Sequence, residues 1–364
     1  MIINDVIKCL EDFAPPLLQE FYDNAGLLTG NVNWPCTGIV TALDATEEVV
    51  MEAVDKKANL ITAHHPIIFK GLKKITGNNY IEKAVIAAIK NDIAIYAIHT
   101  NLDNVLNGVN NYMADKLGLI NRSVLEPRQH TLKKFVTFVP LRYADAIRDA
   151  IFNAGGGNIG KYSECSFSAT GEGTFKAGPG TQPFAGGQGE RHTEPEIKIE
   201  SVFPAWLQNA IVTAAQKAHP YEEMAYDIIS LGNAYTQVGA GLAGDLEQPI
   251  DEKEFLQLLK NKFNTPVIRH TDFTGRPVKK VALCGGAGSF LINTAVAAGA
   301  DFYITADIKY HEFFDANGKM VLADIGHYES EQFTIDLLFD ILKEKFPTFA
   351  VLKTGVVTNP VHYF

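Results

Sequence analysis

Between Thr37 and Thr100, short β-branched and aliphatic runs alternate with longer stretches whose apolar positions recur three and four apart. TGIVTALD (37–44), NLITAHH (59–65) and AIYAIHT (94–100) predict strands, and ATEEVVMEAVDKKA and YIEKAVIAAIKND predict the helices between them. That alternation is the pattern of βαβ units on a mainly parallel sheet. The last third repeats it. VKKVALCGG (278–286), DFYITAD (301–307) and KMVLADIGH (319–327) predict strands, with SFLINTAVAAGA and SEQFTIDLLFDILKEKF as the intervening and final helices. VTALD leading to ANLITAHH resembles VALCGG leading to ADFYITAD, a weak internal repeat. If the halves arose by duplication, AHHP and ITADIKYH sit at equivalent strand ends.

The middle has a different rhythm. From about Leu132 to Leu231, FVTFVP, CSFSAT, EIKIESVFP and YDIISL read as strands, with ADAIRDAIFNA and AWLQNAIVTAAQKA as helices. This order predicts an α+β insert of ferredoxin-like type. The expected fold class is therefore α/β, with two related halves, 1–126 and 233–364, forming the core and the insert occupying 127–232. Within the insert, GEGTFKAGPGTQPFAGGQGER lacks both GxGxxG and the P-loop lysine pattern, so it reads as a long flexible surface loop. AHPYEEMAYD sets His219 beside Glu222 and Glu223, and reads as a loop histidine with solvated acids rather than a second metal site.

Composition changes the picture mainly by exclusion. The 364 residues are 46% hydrophobic, enough for a large core in two or three domains. A net charge of −10 provides no basic field for nucleic acid or an anionic membrane. Cys9, Cys36, Cys165 and Cys284 are widely spaced and form no CxxC, which argues against a disulfide framework or a thiolate zinc site and fits a reducing cytoplasm. MIINDVIKCLEDF carries acids among its apolar residues and reads as an amphipathic helix rather than a targeting segment; no stretch reads as membrane-spanning.

Candidate chemistry gathers at the strand ends. TAHHPIIF (62–69) ends an apolar run with adjacent histidines and a proline. Consecutive side chains of a strand point to opposite faces, so His64 and His65 share a pocket only if the chain bends there, and Pro66 favours a bend. Asp103 lies just beyond the next strand, with His99 expected in the strand itself. In GHYESE, His327 and Glu331 are four apart at the expected start of the last helix, so they project from one face. Open α/β sheets collect ligands at such carboxyl strand ends. His64, His65, Asp103, His327 and Glu331 are more than one metal ion needs. Two divalent ions about 3.5 Å apart would use them, sharing a carboxylate and a solvent oxygen. The mixed donors suit Zn, Fe or Mn better than Ca or Mg.

DNAGLLTG (23–30), AHHPIIF, HTNLD, GGAGS, ITADIKYHEF and DIGHYESE together are similar to the motifs of the Ngg-interacting factor 3-like family, also called GTP cyclohydrolase I type 2 homologues. The resemblance covers both flanking halves, and the middle looks like the PII/CutA-like insert of the longer bacterial members. It implies a dinuclear site of the same five residues, with Glu331 bridging, His65 and Asp103 on one ion, and His64 and His327 on the other. Tyr328 stands where one common variant of the last motif has a second histidine.

Two divalent ions and an open site imply a hydrolase acting on a small molecule. Asp103 and Glu331 are the candidate catalytic carboxylates. Family naming suggests GTP and opening of its imidazole ring; phosphoester hydrolysis of a nucleotide-like substrate and a non-catalytic metal-binding regulatory or scaffold role are the alternatives. The resemblance also implies a homohexamer with sites facing an internal cavity. Asp23 and Asn24 read as loop-shaping or substrate-contacting residues, and Asp307, Lys309 and His311 as residues that orient ligands or bind substrate anions. GGAGS reads as a tight βα turn rather than a phosphate cradle.

Overall fold

The runs TGIVTALD, NLITAHH, AIYAIHT and DFYITAD condense into strands of four or five residues, each fully buried. The structure, a computed structural model, describes residues 1–364. In the first third lie α1 (Ile3–Phe13), β1 (Gly26–Thr29), β2 (Ile39–Ala42), α2 (Glu47–Asp55), β3 (Leu60–Ala63), α3 (Tyr80–Lys90), β4 (Ala94–Ala97), α4 (Thr100–Asp103), α5 (Val109–Leu117) and β5 (Ile120–Arg128). The middle holds β6 (Leu132–Pro140), α6 (Ala144–Asn153), β7 (Phe167–Lys176), β8 (Arg191–Pro204), α7 (Gln208–Ala218) and β9 (Tyr226–Ser230). The remainder forms β10 (Tyr235–Ile250), α8 (Glu252–Phe263), β11 (Arg269–His270), β12 (Val278–Ala287), α9 (Ile292–Ala297), β13 (Phe302–Ala306), β14 (Val321–Asp324), α10 (His327–Glu331), α11 (Thr334–Lys345) and β15 (Val351–Lys353).

Two compact units result, one of Met1–Pro127 with Thr236–Phe364 and one of Arg128–Tyr235. The first is mixed α/β and contains two sheets. One has strand order β1-β4-β3-β2-β15, with β4, β3, β2 and β15 parallel and β1 antiparallel at the edge. The other has order β11-β14-β13-β12-β10-β5, with β12, β13 and β14 parallel. Side-chain alternation sends Val40, Ile61 and Ile95 against Val49, Ala53, Ala84 and Ala88 of α2 and α3. These helices start where the sequence supplies caps: Thr46 accepts the Val49 N–H and Asn79 accepts the Glu82 N–H. In the second sheet, Leu283, Ile304 and Ala323 meet Phe255, Leu259 and Phe263, while Ala282, Tyr303 and Leu322 meet Leu291, Ile292 and Ala295.

The second unit runs βαββαβ, and its four strands form an antiparallel sheet of order β7-β8-β6-β9. Ile147 and Ile151 of α6, with Ile211 and Ala215 of α7, cover Phe135, Val139, Ile199 and Phe203. The glycine-rich stretch is only partly a loop. Its first six residues belong to β7, because pairing of Gly171 with Glu196 through Lys176 with Arg191 overrides glycine's local preference. His219 is fully used within this unit: one ring nitrogen donates to the Phe138 carbonyl and the other accepts the Tyr221 N–H.

Three local readings change. β4 ends at Ala97, so His99 is not in the strand but caps the short α4. The final helix is two: α10 is a single turn carrying His327 and Glu331, and α11 begins at Thr334. The 109–128 and 235–263 stretches, outside the periodic patterns, form α5, β5, β10 and α8; Gly239, Gly241 and Gly244 hide the alternation of β10. No helix is long and apolar enough to cross a membrane.

Candidate metal centre

Within the first unit, the carboxyl ends of parallel strands from both sheets meet at one point. His64 and His65 follow β3, Asp44 follows β2, and His99 and Asp103 follow β4. From the other sheet come Asp307 after β13, and His327 and Glu331 on α10 after β14. The chain bends at His64–His65, ahead of Pro66, and the two rings stand with centroids 5.0 Å apart.

Each imidazole is held from behind through Nδ1. Those of His65, His327 and His99 donate to carboxylates, Asp44 Oδ1 at 2.8 Å, Asp307 Oδ2 at 2.7 Å and Asp23 Oδ1 at 2.8 Å. His64 Nδ1 donates to the Ile98 carbonyl at 2.9 Å. Carboxylates and carbonyls only accept, so the protons sit on Nδ1 and every Nε2 is left to the centre. His65 Nε2 and His327 Nε2 lie 2.9 and 3.0 Å from the same Glu331 Oε2 and 3.4 Å from each other. His64 Nε2 is 3.6 Å from Asp103 Oδ1 and 3.8 Å from Glu331 Oε1.

This arrangement lacks cations more than donors or acceptors. His64 Nε2 and Asp103 Oδ1 are buried without any hydrogen-bond partner, a costly state for groups whose lone pairs face each other. Burial, then the Glu331 charge, pushes Asp103 up to about 7. Burial would also raise Glu331, but His327, His64 and His65 hold it well below the carboxylate range. Burial opposes protonation of His65 and His327, yet their flanking carboxylates overcome it and carry them to about 10 and about 11. Protons at those nitrogens do what a divalent ion would do. His65, His327 and Glu331 form one group able to hold a metal ion, and His64, Asp103 and Glu331 another. Glu331 is common to both; one group joins His64 with Asp103 and the other His65 with His327.

A family model described as Duf34/NIF3 (NGG1p interacting factor 3) matches residues 1–360. The chain belongs to this family. A GTP cyclohydrolase 1 type 2 homolog of Halalkalibacterium halodurans is 39% identical over 360 residues, covering 98% of this chain and 97% of that one. Its Bacillus subtilis namesake is 39% identical over 328 residues, covering 89% and 87%. Among solved structures, a Bacillus cereus protein related to NIF3 superposes with TM-score 0.88 at 37% identity, covering 100% of this chain and 99% of its own.

In this NIF3-family chain, the residues missing from the five-residue set are those that aim or join the imidazoles. His99 groups with His64 and His65 as a third set able to hold a metal ion. Asp23 is buried; burial raises its carboxyl, but hydrogen bonds from His99 and Thr100 outweigh that and hold it at about 2. Asp44 also accepts from Thr358, so the C-terminal segment braces the residue behind His65. Applying the strand-end rule to VTALD would have found Asp44. Asp307 orients His327 from a left-handed backbone (φ 57°), a conformation that concentrates at functional sites. Asp324 pairs with Arg269 and accepts the Ile308 and Gly326 N–H groups, fixing the loops that carry Asp307 and His327. Lys309 and His311 belong to none of these groups; both are exposed, and His311 packs against Tyr310. In GGAGS, Gly286 lies against Glu331, where a Cβ would come within 2.3 Å of Oε1.

Proposed function

We propose that this chain is a dinuclear metal-dependent hydrolase acting on a small, nucleotide-like molecule. The observation that carries the reading is the buried, unpartnered pair His64 Nε2 and Asp103 Oδ1 beside the His65–Glu331–His327 cluster. Five carboxylates, Asp23, Asp44, Asp103, Asp307 and Glu331, face four imidazoles that are neutral when metal-loaded, a charge that two divalent ions nearly cancel. His64 and Asp103 would hold one ion, His65 and His327 the other, and Glu331 both. Mixed nitrogen and oxygen donors favour Zn, Fe or Mn. When bound, such ions acidify water and polarise the bond under attack. The protein's part is to keep each Nδ1 protonated and each Nε2 aimed inward. Asp103 and Glu331, beside the ions, would be the carboxylates that orient the attacking water. The relatives' name, GTP cyclohydrolase 1 type 2 homolog, supports hydrolytic opening of a purine imidazole ring as the reaction to test first.

We read residues 1–126 and 233–364 as the two halves of the metal core, and 127–232 as a ferredoxin-like insert of PII/CutA type. The βαββαβ order and the β7-β8-β6-β9 sheet support that reading. The assembly we propose is a homohexamer.

Elemental analysis should find two transition-metal ions per chain, with His65→Ala and Glu331→Ala each losing at least one. Light scattering should give six chains, and the loaded protein should turn over at least one member of a panel of nucleotides, phosphoesters and cyclic amides. Full metal content in both variants would move the site elsewhere. A loaded hexamer inert across the panel would leave a regulatory metal-binding protein.

A further inference from the structure

Beside the centre, a ladder of rings leads outward. His99, whose ring centroid is 5.2 Å from that of His64, meets Phe69 at 6.3 Å and 77°. Phe69 meets Tyr22 at 6.4 Å and 45°, and Tyr22 meets Phe21 at 5.4 Å and 81°. These are large apolar faces left in water: Phe21 is 96% exposed, Tyr22 53% and Phe69 43%. Contiguous exposed apolar surface of this kind marks a place where something binds.

The wall is also built to stay in place. Phe21 and Tyr22 sit on the loop before β1, and Phe69 sits on the segment after His65 and Pro66. Asn24 Nδ2 donates to the Ile68 carbonyl at 2.5 Å, tying the two segments together. Asp23, next to Tyr22, is locked to His99 and Thr100. Burial, then the charges of Glu20, Asp23 and Asp103, raises the Tyr22 phenol, so its hydroxyl stays a neutral donor within the field of the centre.

We infer that Phe69, Tyr22 and Phe21 form an aromatic wall for the flat ring of the substrate, Phe69 stacking on its face and the tilted Tyr22 and Phe21 meeting its outer edge, so that the ring reaches the metal centre past His99. An occupant touching both wall and centre must be thin and apolar on its faces and polar at its edges, the character of a nitrogen heterocycle such as a purine. The inference rests on the proposed centre being where reaction occurs, and narrows that reading by excluding aliphatic phosphoesters as the preferred class.

The test uses the metal-loaded full chain and calorimetric binding of GMP, AMP and ribose 5-phosphate. Both nucleotides should bind at least about tenfold tighter than the ringless sugar phosphate. Phe69→Ala should weaken nucleotide binding about five- to a hundredfold, Phe69→Trp should restore it, and neither should change metal content. Tyr22→Ala and Phe21→Ala, on the other segment, should weaken it in the same sense. Equal binding of ribose 5-phosphate, failure of both nucleotides to bind, or indifference of nucleotide affinity to all three alanine variants overturns the inference. A change in assembly size in those variants without change in affinity overturns it too, assigning the wall to a second copy of the chain. Ring-dependent binding without turnover of any nucleotide would support the wall while removing the hydrolase reading. Turnover of ringless phosphoesters, untouched by Phe69→Ala, would do the reverse.

Discussion

Which nitrogen each imidazole offers is decided by the acceptor behind it. Asp44, Asp307, Asp23 and the Ile98 carbonyl take the four Nδ1 protons, so the centre is lined by Nε2 atoms and by Glu331. Without metal, His65 and His327 keep a second proton to pH values near 10 and 11. Their folded-state pKa lies above the ordinary histidine value of about 6.5, so this contribution to stability is complete below about pH 6.5 and is lost as pH rises through the folded values. A bound ion needs both nitrogens deprotonated, so its contribution grows over the same range. Chelator-treated protein should therefore melt several degrees lower at about pH 9 than at about pH 6.5, while the gain in melting temperature at fixed free Zn or Mn becomes larger. Differential scanning calorimetry across the range decides it; a gain that shrinks with pH would mean that these imidazoles do not hold the ion.

At the scale of elements, the centre depends on how closely α10 lies on the end of β12. Gly286 is left-handed (φ 60°) and has no Cβ to displace Glu331, while its N–H is held by Ser330 Oγ at 3.0 Å. Gly286→Ala puts a methyl where Oε1 now sits. The carboxylate is the free end of a side chain and can swing away, so the damage should fall on metal binding more than on folding. Gly275, also left-handed (φ 74°) but with open space around it, supplies the control. Each substitution should cost about 1 kcal/mol in backbone strain, read from denaturant unfolding of metal-free protein. Only Gly286→Ala should lose ions in elemental analysis. Equal metal content in the two variants would mean that Glu331 is not shared by both groups.

At the scale of the whole molecule, every residue of the centre belongs to the unit formed by Met1–Pro127 and Thr236–Phe364. Gly241 lies against Leu125 and Gly244 against Ile120, so β5 and β10 run side by side and bring Pro127 near Thr236. A short flexible linker between those residues should replace 128–235 and leave a folded core, since the second unit has its own apolar cluster. The shortened chain should keep its metal content while assembly or substrate access changes. A shortened protein that is folded by circular dichroism yet binds no metal would show the intervening unit to be required for the centre.

What the sequence determined by itself is what depends on local periodicity and on strand direction. Short β-branched and aliphatic runs marked the parallel strands and the 3.6 repeat their helices, and the carboxyl-end rule then drew attention to His64, His65, Asp103, His327 and Glu331. Tertiary structure alone decided which nitrogen of each imidazole faces inward, because that depends on Asp44, Asp307 and Asp23, which lie 21, 20 and 76 positions from their partners. It also decided the grouping of the donors. His64 and His65 are adjacent in the chain and share one set with His99, but each also belongs to a set of its own, completed by Asp103 from another strand end or His327 from the other sheet, with Glu331 in both. Sequence spacing constrains distances along an element; the distance between the ends of two elements is set by how their apolar faces pack.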